Sequence, residues 1–158
     1  MDVGMVFAII FTAIVIVLVL TLGVDQIRDL LGIGRLAQIN GAIKELRGVV
    51  DLTYTLSEGT VKPLTLRFPS GARFCFVDSE SPEADLDYAD RASRWDPDDF
   101  VVDEIRRKGY SLWVYSEAKD PGEGYAVDYL KPGRNFCAPG GSGLLLINRG
   151  LYVDVVGS

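Results

Sequence analysis

Two cysteines, Cys75 and Cys137, and a carboxylate-dense run, DSESPEADLDYADRASRWDPDD over 78–99, are the residues whose types and spacing could do chemistry. The chain has no histidine, which removes the commonest general base and the commonest metal ligand together. Cysteine catalysis is disfavoured, since no imidazole stands by to take the thiol proton. Zinc is disfavoured as well, because two thiolates without histidine or further cysteines fall short of a tetrahedral ligand set. Were the two to lie in an exported, β-rich domain, the pair would be better explained as one disulfide, with buried thiols as the alternative. That bridge would close a loop on the order of 60 residues, for which chain entropy gives roughly 4 kcal/mol.

The acidic run could hold calcium, an ion that takes roughly six to eight oxygen ligands. An EF-hand loop, however, needs glycine at its sixth position and glutamate at its twelfth, and neither falls at the right spacing from Asp78, Asp85 or Asp87. The expectation is a solvated acidic excursion, pinned to the body by Leu86, Tyr88 and Trp95, with an irregular calcium site as the alternative. Paired acids for glycoside hydrolysis could be drawn from Asp78 to Glu104, but nothing fixes their separation. No catalytic residue is therefore named, no cofactor is expected and an enzyme is disfavoured. A net charge of −6 and a pI near 4.6, with no basic cluster, argue against a nucleic-acid partner.

The elements that must position these residues begin with an uncharged run from Val6 to Val24, VFAIIFTAIVIVLVLTLGV. A helix of that length crosses a hydrocarbon layer about 30 Å thick. A cleaved secretory signal would need a basic start and an apolar core of roughly 7–15 residues, whereas here only Asp2 precedes the run. The run is expected to stay attached, offering Val6, Phe7, Ile10, Phe11, Ile14, Val17, Leu18 and Leu22 to lipid or to other copies. Beyond it Ile27, Leu30, Leu31, Leu36, Ile39, Ile43, Leu46 and Val50 recur at steps of mostly three and four, predicting an amphipathic continuation. Of these, Ile39, Ile43, Leu46 and Val50 are the candidates for packing under a head. Gly23, Gly32, Gly34, Gly41 and Gly48 are candidate bends or close approaches.

Residues 1–50 thus read as a membrane or assembly helix and 51–158 as a β-rich head. Leu52, Tyr54 and Leu56 alternate with polar neighbours, as do Leu64, Leu66 and Phe68, and Phe74 to Val77 makes a third run. These predict an antiparallel meander covered by the preceding helix. Asp96 as N-cap and Pro97 at the first helical position predict a short helix through Lys108, stopped at Gly109, burying Phe100, Val101, Ile105 and Val102. Tyr110 to Ser116 predicts a strand, AKDPGEG a turn or surface loop, and Tyr125 to Leu130 another strand. Asn148-Arg149-Gly150 between two apolar runs, Leu144 to Ile147 and Leu151 to Val156, predicts a closing hairpin. The fold class expected is α+β: a long hydrophobic helix, continuing as an amphipathic one, packed on an antiparallel sheet.

This layout resembles the type IV pilins. More narrowly, GAIKELRGVVDLTYTLSEGT, LTLRFPSGARFCFVD and LLLINRGLYVDVV resemble segments of small archaeal pilin-like proteins. The resemblance implies an assembly segment from Val3 to Leu22, first held in membrane lipid and then packed with its copies at the centre of an extracellular filament. Ile27 to Val50 would pack under an outward-facing head, and the pilus-assembly machinery would be a partner. Such pilins carry a short basic leader cut just before the run, and many have glutamate at the fifth mature position, where Met5 stands here. Arg28, Arg35, Lys44 and Arg47 follow the span while no basic residue precedes it, so the positive-inside rule alone would leave the head in the cytoplasm. The cysteine pair and the resemblance favour an exported head. The expected function is a filament subunit, with a non-polymerising, membrane-anchored binding or assembly protein as the alternative.

Overall fold

A computed structural model of the protein describes residues 3–69, 71–84, 93–116 and 119–157. The fold is α+β. Helix α1 runs Val3–Tyr54 and is followed by β1 (Val61–Thr65), β2 (Arg73–Phe76), α2 (Asp99–Lys108), β3 (Leu112–Ser116), β4 (Lys119–Tyr125), β5 (Phe136–Pro139), β6 (Gly143–Asn148) and β7 (Val153–Gly157). The chain divides into two compact units, Met1–Ala37 and Gln38–Ser158.

The second unit holds two open antiparallel sheets, ordered β1-β6-β7 and β4-β3-β2-β5. Its main core is filled from three sides. The last turns of α1 supply Ile39, Ile43, Leu46 and Val50, the first sheet Leu64, Leu144, Leu146, Val153 and Val155, and the second Phe74, Phe76, Leu112 and Val114. Alternate residues of β2 point to opposite faces. Cys75 and Val77 accordingly enter a second core with Trp95, Trp113, Val101 and Ile105, where α2 covers the other side of the sheet. Burial on both faces explains why the FCFV stretch shows no polar alternation.

Several expectations are corrected. Residues 52–56 do not form a strand: α1 continues through Tyr54, with Leu52 exposed and Thr53 fully buried. The reason is tertiary. The buried Asn148 Nδ2, from the end of β6, donates to the carbonyls of Thr53 at 3.0 Å and Tyr54 at 3.2 Å in the last turn and of Leu56 at 2.7 Å just beyond it, tying the helix end to β6. The meander also fails, because β1 pairs with β6 and β2 lies between β3 and β5 in the other sheet.

The N-cap of α2 is Asp98 rather than Asp96, its carboxylate accepting from Val101 N at 2.9 Å. Gly109 closes the helix in the left-handed conformation, φ 66°, as its C-cap. Phe100, expected inside, is exposed, since it lies about 140° around the helix from buried Ile105. AKDPGEG is not a turn or surface loop: Lys119 onward is the edge strand β4. Its glycines serve close packing, because a Cβ on Gly124 would collide with the Tyr110 ring and one on Gly122 with Trp113. The strand expected over Tyr125 to Leu130 ends at Tyr125 instead, and only Leu130 bridges to Val153, just after Tyr129 takes a positive φ of 63°. The β6–β7 hairpin forms as expected, although Leu151 belongs to its exposed turn. Trp95 is buried, donating from Nε1 to Pro82 O at 2.9 Å, while Leu86 and Tyr88 lie outside the described residues.

Asn148→Ala is expected to destabilise the protein by about 2–3 kcal/mol, since three carbonyls at and just beyond the helix end lose one shared donor. Leu151→Ala, in the hairpin turn, should change stability by less than about 0.5 kcal/mol. Denaturant unfolding followed by tryptophan fluorescence measures both.

Candidate membrane and assembly surface

In the first unit the sequence from Gly4 to Thr21 has a mean hydropathy of 2.9 and no charged residue, and none of it is buried. Eighteen residues at about 1.5 Å each give a rod of roughly 27 Å, close to the hydrocarbon thickness of a bilayer. Val6, Phe7, Ile10, Phe11, Ile14, Val17 and Leu18 are all exposed, Phe7 by 73%. Leu22 lies in α1, but its side chain is outside the described residues. The two hydroxyls in the span are satisfied inside the helix: Thr12 Oγ1 donates to Ala8 O at 2.8 Å and Thr21 Oγ1 to Val17 O at 3.0 Å. No side-chain polar group on this surface is left seeking a partner, as a helix in hydrocarbon requires. A core helix of a water-soluble domain, the simplest alternative for such a run, would be mostly buried, and this one is not.

Ile39, Ile43, Leu46 and Val50 all lie in the head core, so this part of the amphipathic stripe is turned to the sheets, while the side chains of Ile27, Leu30 and Leu31 lie outside the described residues. Arg47, beside that stripe, donates from Nη2 to Ala126 O at 2.9 Å. Cys75 and Cys137 are bridged, facing each other across the β2–β5 ladder 62 residues apart. The bridge ties the edge strand β5 to the sheet interior, and Cys137 N donates to Ser93 O at 2.9 Å on its outer side.

No family model, curated protein or solved structure matches the chain.

Besides Trp95, which bonds to Pro82, and Arg106, which pairs with Glu83 at 2.7 Å, two residues from 131–135 hold the described part of the acidic run. Asn135 accepts from Asp78 N at 2.7 Å and donates to Ser81 O and Glu83 O. Lys131 pairs with Glu80 and with Asp78, and the Glu80 contact raises the lysine above its usual range while lowering the carboxyl. Glu80 is exposed and Lys131 only half-buried, so the Lys131–Glu80 pair contributes little to stability. Among the described residues no group of three carboxylate or thiol side chains converges as a metal site; Asp85 and Asp87 lie outside them. Neither asparagine stood out in the sequence. Asn148 reads as a turn residue, and only their burial, 2% and 8% exposed, marks Asn148 and Asn135 as organising groups.

Two phenols in the head are displaced upward. Burial, aided by the hydrogen bond that Tyr125 donates to Glu123, pushes Tyr125 well above the ordinary tyrosine range, and burial raises Tyr115. The fold favours their neutral forms, so this contribution is complete below about pH 10 and is lost as pH rises above it. Denaturation curves from pH 8 to 12 should fall off above about pH 10, and Tyr125→Phe should soften that fall; an unchanged profile would contradict the assignment. Replacing Cys75 and Cys137 together by serine is expected to lower unfolding free energy by up to roughly 4 kcal/mol in denaturant titrations without reductant. A loss under about 1 kcal/mol would mean that the bridge does little to hold β5.

Proposed function

We propose that this chain is a structural subunit of an extracellular, type IV pilus-like filament, polymerising through its N-terminal helix. The single observation that carries the reading is the uncharged, wholly exposed surface from Gly4 to Thr21, which has no apolar partner within its own unit. Membrane lipid covers that surface before assembly, and copies of the same helix replace lipid in the filament, where close packing and exclusion of water hold them together. The layout of helix, amphipathic continuation and β-rich head, together with the resemblance of its sequence segments, supports this choice. The bridged cysteines support a head placed outside the reducing cytoplasm, against the basic residues Arg28, Arg35, Lys44 and Arg47 that follow the span in sequence. Export through pilus-assembly machinery belongs to the same proposal.

The second reading is a permanently anchored binding or assembly protein that never polymerises. It is favoured by the match between the 18-residue span and one bilayer thickness, since lipid alone would then suffice. Negative-stain imaging of native material separates the two. The filament reading expects fibres that resist detergent, and monodisperse particles from cells rich in the protein would overturn it. Phe11→Asp places a charge in the middle of the span at a cost of about 2.5–3.5 kcal/mol in lipid, and it is expected to abolish both membrane retention and fibres.

A further inference from the structure

We draw no further inference here: the strongest candidate, the cleft of about 230 Å³ along the outer edge of β7 where Gly133, Phe136, Asp154 and Val155 meet, carries nothing because no feature of the structure shows what covers it.

Discussion

Apolar surface has to leave water, and α1 meets that constraint differently along its length. From Ile39 to Val50 one stripe is buried against two sheets, with Leu46 and Val50 fully inaccessible. Without it the inner faces of those sheets would lack one wall of their core, and replacing Ile39, Ile43 or Leu46 by alanine would cost about 2–5 kcal/mol. From Gly4 to Thr21 the apolar residues lie all round the helix and nothing in the first unit covers them. A stripe needs a folded partner of fixed shape, whereas an all-round apolar surface needs only an apolar medium. That difference separates the part of α1 that organises the head from the part that has the length and composition of a membrane-crossing helix.

Features set by local repetition were readable in the sequence. The uncharged run, the three-and-four spacing of Ile39, Ile43, Leu46 and Val50, and the hairpin around Asn148-Arg149-Gly150 each carry their own period or turn chemistry. What escaped reading depends on contacts distant in the chain. The end of α1 is held by Asn148, more than 90 residues away, and this overrides an alternation that reads as a strand at 52–56. Gly122 and Gly124 look like turn residues until the rings of Trp113 and Tyr110 occupy the space their side chains would need. Strand order was beyond local pattern as well, since β1 and β2 are neighbours in sequence but belong to different sheets.

The residues best suited to chemistry serve structure where they are described. The thiols are consumed in a buried bridge that fixes an edge strand, and the acidic run from Asp78 to Glu83 is tethered through Asn135 and Lys131. Exposed apolar surface among the described residues therefore concentrates on the α1 span, where the side chains from Met5 to Leu20 present far more of it than scattered head residues such as Phe100 or Leu151.

The central claim, that the span leaves water by packing against its copies, is tested most directly at Phe11, midway along it and 62% exposed. A Phe11→Cys variant, its native bridge intact, would be treated in assembled native material with a water-soluble maleimide and, separately, with a thiol cross-linker of short reach. The account predicts that the maleimide fails to label the site and that the cross-linker joins subunits into dimers. Protection without cross-linking would leave lipid alone as the medium and contradict self-packing, and full labelling would contradict withdrawal from water altogether.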